Sequence, residues 1–248
     1  MVENRMKGQI DTLFAESRPH VVDFAFDESV ARVFPDMIRR SIPGYETVIS
    51  HLAVIAEQYY QDDTTVYDLG CSLGAATLSV RSRLGNRCAG YVAVDSSAAM
   101  LTQCQENLVG KMNAPPVKCI QADIRETPLS EAGIVILNFT LQFLSPKERT
   151  PLLRRIFQSL VPGGVLILSE KLQSETLDDQ QLVTHLYHRF KAANGYSELE
   201  ISQKRTALEK VMQLDSPETQ QSRLADAGFK QTLEWFRCFG FNSVVAIR

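Results

Sequence analysis

Between Thr64 and Glu170, short apolar runs rich in β-branched residues alternate with stretches of helical periodicity. The strands read as V-Y-D-L from Val66, Y-V-A-V-D from Tyr91, V-K-C-I-Q-A-D from Val117, I-V-I-L-N-F from Ile134 and V-L-I-L-S-E from Val165. The helices between them read as Ala75 to Leu84, Ala98 to Val109 and Lys147 to Leu160. Continuous apolar strands separated by amphipathic helices predict a parallel sheet covered on both faces. Val161-Pro162-Gly163-Gly164 reads as a helix stop followed by a tight turn into the next strand. A helical stretch from Ser216 to Ala227 then leads into Gln231 to Cys238 and Ser243 to Arg248, expected as an antiparallel pair closing the sheet edge.

Two segments fall outside this alternation. Asp27 to Tyr60 (27–60) reads as helical with breaks at Pro35 and at Pro43-Gly44, and is expected to lie across the mouth of the sheet as a lid. Asp178 to Asp215 (178–215) reads as a helical insertion after the fifth strand, broken by A-N-G-Y-S at Ala193 to Ser197. Insertions there sit above strand C-termini, where ligands bind, and set substrate choice. Seven strands with this ending resemble the class I S-adenosylmethionine-dependent methyltransferase fold, a doubly wound, Rossmann-like α/β sheet. One domain over 1–248 is the expected organisation, since 248 residues with 44% hydrophobic content suffice for one large core.

Composition narrows the function classes. A net charge of -3 gives no global basic field, so direct nucleic-acid binding is not expected. No apolar run approaches the roughly 20 residues that span a bilayer, and M-V-E-N-R-M-K-G-Q-I lacks a signal-peptide core, so no membrane association and a cytoplasmic location are expected. The five cysteines, Cys71, Cys88, Cys104, Cys119 and Cys238, follow no metal-ligand spacing. They are expected as reduced thiols, without a metal site.

The candidate chemistry lies at strand ends. V-Y-D-L-G-C-S-L-G places a glycine turn after Asp68, and the next strand ends in Asp95. Gly70 allows a sharp turn with room for a ligand against the main chain, and a carboxylate at the second strand end can accept both ribose hydroxyls. The D-x-G-x-x-x-G spacing suits a nucleoside better than a pyrophosphate. Asp123 in Q-A-D-I can accept from an adenine amino group while Ile124 packs on the ring, and Asn138 offers both a donor and an acceptor. Taken singly, each also reads as a cap or turn residue. Their shared position at strand C-termini predicts one crevice. Three further residues read as structural: Cys71 as a small residue lining the turn, and His185 and His188 as helix residues lacking a third ligand. Phe139 and Phe143 read as core or pocket wall.

The segments V-F-P-D-M-I-R-R-S-I-P-G-Y, V-Y-D-L-G-C-S-L-G-A-A-T-L-S, L-N-F-T-L-Q-F-L and K-A-A-N-G-Y-S-E-L-E-I-S-Q-K-R together resemble the carboxy-S-adenosylmethionine synthase family, over nearly the whole chain from Asp11 to Ile247. The resemblance implies contacts to the cofactor-derived ligand from Tyr45, Gly70, Cys71, Ser72, Asp95, Ser96, Asp123, Ile124, Asn138 and Arg205. The departures, a longer and more polar N-terminal leader and the loop near Ala132-Gly133, touch none of these. It also implies a reaction of S-adenosyl-L-methionine with prephenate that gives carboxy-S-adenosyl-L-methionine and phenylpyruvate. The product would serve a tRNA-modifying carboxymethyltransferase acting on wobble uridine.

In that reaction the sulfonium methyl loses a proton and the ylide captures carbon dioxide in a closed pocket. No side chain stands out as the base. A guanidinium such as Arg205 suits the added carboxylate through two charge-assisted hydrogen bonds. By spacing alone, Glu200, Lys204 and Arg205 read instead as a solvated helix face with Glu200 and Lys204 paired. A homodimer is expected, with Arg205 acting within its own chain or across the interface. A methyltransferase of a small acid and a non-catalytic S-adenosylmethionine-binding scaffold remain the competing classes.

Overall fold

The apolar runs assemble into one seven-stranded sheet in a computed structural model that describes residues 9–17, 19–109, 114–209 and 211–248. Of the ten-residue polar leader read as lacking a signal-peptide core, residues 1–8 lie outside the described residues. Strands β1 (Thr65–Leu69), β2 (Gly90–Asp95), β3 (Val117–Gln121), β4 (Ala132–Asn138), β5 (Leu160–Lys171), β6 (Gln231–Cys238) and β7 (Phe241–Ile247) lie in the order β3-β2-β1-β4-β5-β7-β6. The first five pair in parallel, while β7 runs antiparallel to both β5 and β6. The order reverses between β1 and β4, so the crevice above their C-terminal ends is where such sheets bind ligands.

Helices cover both faces. They are α1 (Glu28–Ser41), α2 (Tyr45–Tyr59), α3 (Ala75–Leu84), α4 (Ala98–Leu108), α5 (Pro146–Ser159), α6 (Leu177–Ala193), α7 (Glu198–Glu209) and α8 (Pro217–Ala227). On one face Leu152, Leu153 and Ile156 of α5 pack on Leu137 and Leu166; on the other, Val48, Leu52 and Ala56 of α2 pack with Val66, Ile134 and Ile167. Burial of such side chains, roughly 1.5–3 kcal/mol each, is the main force holding the layers together.

Three expectations change. Helix α1 continues through Pro35, which is buried, because packing against α4 and the aromatic cluster holds the helix despite the lost hydrogen bond; the break falls only at Pro43-Gly44. The 27–60 segment does more than border the crevice: α1 and Tyr45, Glu46, Ile49 and Ser50 of α2 line it, while Val48, Leu52 and Ala56 make α2 a layer of the core as well. At Val161-Pro162-Gly163-Gly164 the strand has already begun. Leu160 pairs with Ala132 and Val165 with Ile134, so the turn is an irregularity within β5, with Gly164 close against the Ala132 and Gly133 carbonyls. The insertion does break where the sequence indicates, at Asn194–Ser197 between α6 and α7.

Candidate active site

A cavity of about 1210 Å³ opens above the C-terminal ends of β1, β2 and β4 and is roofed by α1, α6 and α7. All ten residues carried over from the sequence line it. Gly70 turns off β1 at φ 82, and the Cα hydrogen that takes the place of a side chain faces Thr140, where a methyl would overlap the threonine side chain. The glycine is therefore needed for packing as well as for the turn. Ser72 follows at φ 49, and Phe139, at the end of β4, stands at φ 59. Two non-glycine residues in the left-handed region flank the cavity, a strain of order 1–3 kcal/mol each that concentrates at functional sites.

The acidic end is built from the first two strands. Asp68 is buried; Thr77 donates to its Oδ2 from Oγ1 at 2.6 Å and from its backbone N–H at 3.1 Å. Its Oδ1 has no partner among the described residues, and burial lifts the carboxyl to about 6 against the opposing pull of Thr77. Asp95 accepts the Ser72 N–H at 2.8 Å on Oδ2 and the Ser97 N–H at 2.9 Å on Oδ1. Burial raises it above the usual carboxylate range, with those backbone hydrogen bonds opposing. Ser96 beside it is exposed. Asn138 presents a second unpartnered buried oxygen, Oδ1, into the same space. Two orphaned acceptors facing one cavity call for donor groups on a ligand.

At the β3 end, Ile124 packs into the core, while Asp123 is gripped by Arg125, whose Nε lies 2.9 Å from Oδ1 and 3.0 Å from Oδ2. That hydrogen bonding lowers the Asp123 carboxyl, and a ligand amino group has to share the acceptor with Arg125. Tyr45 opens α2 with its ring at the cavity, and burial pushes its phenol well above the usual range. Cys71 is buried with its Sγ 3.9 Å from that of Cys104, and this contact and burial raise the thiol out of nucleophile range. Phe143 meets Phe26 edge-on at 5.3 Å, and Phe139 meets Phe241 at 6.0 Å, as wall and core.

The opposite end is cationic. Lys171, His188, Lys191, Lys204 and Arg205 all line the cavity. Arg205 is exposed and belongs to its own chain's wall. The solvated-face reading of α7 is corrected: Glu200 and Lys204 are buried and do not pair with each other. Glu200 accepts the Ser197 N–H and hydroxyl, both at 2.8 Å, as the N-terminal cap of α7. Lys204 instead reaches Asp11 at 3.2 Å and Ser41 at 3.0 Å, and the Tyr196 hydroxyl donates to Asp11 at 2.5 Å. Sequence reasoning missed this network, and it passed over Lys171 and Lys191, whose polar neighbours Glu170 and Arg189 gave no sign of burial.

Among the described residues no group of three His, Cys, Asp or Glu is placed to hold a metal ion, and no helix is long and apolar enough to cross a membrane. A sheet of this order with its antiparallel last pair, and acidic strand ends lining the crevice, define a class I S-adenosylmethionine-dependent methyltransferase fold. The model of a methyltransferase domain family matches residues 66–164. Human N-acetylserotonin methyltransferase, solved in complex with S-adenosylmethionine, superposes with a TM-score of 0.59 at 19% identity, over 89% of this chain and 55% of that one. A methyltransferase structure from Methanosarcina mazei does so at 0.57 and 16%, over 78% and 96%. These likenesses concern the fold. The chain itself belongs to the carboxy-S-adenosyl-L-methionine synthase family of enzymes: the Erwinia tasmaniensis synthase is 52% identical over 238 residues, 96% of this chain and 97% of the relative.

Proposed function

We propose that this protein converts S-adenosyl-L-methionine and prephenate into carboxy-S-adenosyl-L-methionine and phenylpyruvate, supplying a carboxymethyl donor for wobble-uridine modification of tRNA by a separate enzyme. The observation that carries the reading is Arg205 on the wall of the same cavity as Asp68 and Asp95. A methyl donor offers no second carboxylate for such a guanidinium, whereas the carboxylated product does. In this reading Asp95 takes the ribose hydroxyls, with Ser96 beside it, and the turn Gly70-Cys71-Ser72 backs the ligand. Asp123 and Ile124 face the adenine, and Tyr45 and Asn138 complete the cradle. The orphaned oxygens of Asp68 and Asn138 fit a ligand that brings ammonium and amino donors.

Balance fixes the chemistry. Prephenate loses carbon dioxide and hydroxide as its ring becomes aromatic; the hydroxide takes a proton from the sulfonium methyl to give water, and the ylide carbon bonds to carbon dioxide. No protein base is required. The apolar wall around Phe26, Phe139 and Phe143 would keep bulk water from the ylide. The protein is read as a cytoplasmic homodimer that does not bind tRNA itself. Incubation with S-adenosyl-L-methionine and prephenate, followed by mass spectrometry, is expected to give the carboxylated sulfonium and phenylpyruvate in equal amounts. Methyl transfer to an acceptor, or cofactor binding without turnover, would overturn the reading in favour of a methyltransferase or a scaffold.

A further inference from the structure

The cationic end of the cavity holds more charge than one product carboxylate needs. Lys171, the last residue of β5, and Lys191, in the last turn of α6, approach the ring of Tyr187, their ammonium groups 4.5 and 4.7 Å from its centroid. Lys191 is only 4% exposed. Lys204 has Asp11 as an ion-pair partner, but the charges acting on Lys171 and Lys191 among the described residues are all cations. Burial first, then Lys204, Lys171 and Arg205, pulls Lys191 down to about 7; burial and Arg205 pull Lys171 down to about 8. Cation–π attraction of about 0.5–2 kcal/mol per ammonium does not offset desolvating two like charges, so the unliganded arrangement costs stability. An anion between them would relieve both the desolvation and the repulsion.

The ligand that fits can be described by class. Strand order puts Lys171 two strands, roughly 10 Å, from the Gly70 turn. Beside the two lysines, Tyr187, Phe241 and Phe139 form a continuous apolar wall, with ring centroids 5.3 and 6.0 Å apart. Resting on the synthase reading, we propose that Lys171 and Lys191 form a carboxylate-binding subsite for the second substrate, a ring-bearing dicarboxylate. This subsite is distinct from the contact of Arg205 with the carboxylate on the product.

The test uses phenylsuccinate, a ring-bearing dicarboxylate that cannot lose hydroxide, titrated by calorimetry into the protein saturated with S-adenosylmethionine. Lys171→Met and Lys191→Met, with Lys→Gln versions in reserve should a Met variant misfold, are each expected to weaken phenylsuccinate by at least about tenfold, the worth of one charge-assisted contact. S-adenosylmethionine affinity should stay within about twofold, and the melting temperature should hold or rise because a buried charge has gone. Unchanged phenylsuccinate affinity overturns the proposal. So does a parallel loss of S-adenosylmethionine affinity, which would assign the lysines to its amino-acid carboxylate. If the wild type binds phenylsuccinate through these lysines yet makes no carboxylated product, the subsite stands and the synthase reading falls; product formed equally well by the variants gives the reverse.

Discussion

Asp68 ends its strand with one carboxylate oxygen satisfied by Thr77 and the other facing the cavity unpartnered. Because burial lifts its folded pKa from 3.8 to about 6, stability from this group is fully present below about pH 4 and is lost as pH rises through about 6. At neutral pH the ionised side chain costs roughly 3 kcal/mol. Asp68→Asn keeps an acceptor for Thr77 and should therefore raise stability at pH 7 and reduce its decline between pH 4 and 6, while weakening S-adenosylmethionine. Buried Glu170, raised by burial to about 7, and Asp95, also raised by burial, supply the decline that remains. Urea titrations across pH check this, and an unaltered slope would clear Asp68 of the cost. At Arg205 the expectation is selectivity: Arg205→Ala should cost the carboxylated ligand about 1.5–3 kcal/mol, one hydrogen bond to a charge, and ordinary S-adenosylmethionine much less. Equal losses in calorimetry would make Arg205 structural.

The segment K-A-A-N-G-Y-S-E-L-E-I-S-Q-K-R runs from the last turn of α6 into α7, and the spacing of its α7 half suggested an outward face with Glu200 paired to Lys204. The fold turns both inward because residues 11–16 lie across the helix: Gln203 donates to the Phe14 and Glu16 carbonyls at 2.9 Å, and Lys204 reaches Asp11. Arg40 ties the same strap to α1 by donating to the Asp11 carbonyl at 3.1 Å and lying 3.8 Å over the Tyr196 ring. The distinctive segment thus serves to lock α7 beside the cavity, with Arg205 next in line. Asp11→Ala should cost about 3–5 kcal/mol, because it leaves a buried ammonium unpaired. Combined with Lys204→Met, most of that loss should return. Thermal melts of the four proteins in the cycle test this, and strict additivity of the two changes would mean that the pair does not hold the strap.

Across the whole molecule, Leu182 and Leu186 stand four residues apart on α6, 58% and 41% exposed, an apolar face suited to the expected homodimer. Light scattering at micromolar concentration should give twice the 27.8 kDa chain mass, and Leu182→Asp with Leu186→Asp should reduce it to one. A dimer that survives both changes must use another face. Arg205 lines its own chain's cavity, so a clamp acting within one chain is the arrangement we propose, and the dimer-breaking variants test it separately from dimerisation. The sequence by itself determined the strands, their glycine turn and the acidic residues at their ends. Those follow from local rules: continuous apolar runs buried on both faces, helix caps, and a left-handed turn that favours glycine. Because every parallel strand points the same way, Asp68, Asp95, Asp123 and Asn138 had to converge. What only the tertiary structure decided is where the charges went. Lys204 found Asp11 from 193 positions away, and Lys171 and Lys191 came from β5 and α6 to one tyrosine ring with only cations acting on them among the described residues. Burial and pairing depend on neighbours brought together by packing, and spacing along the chain carries no record of them.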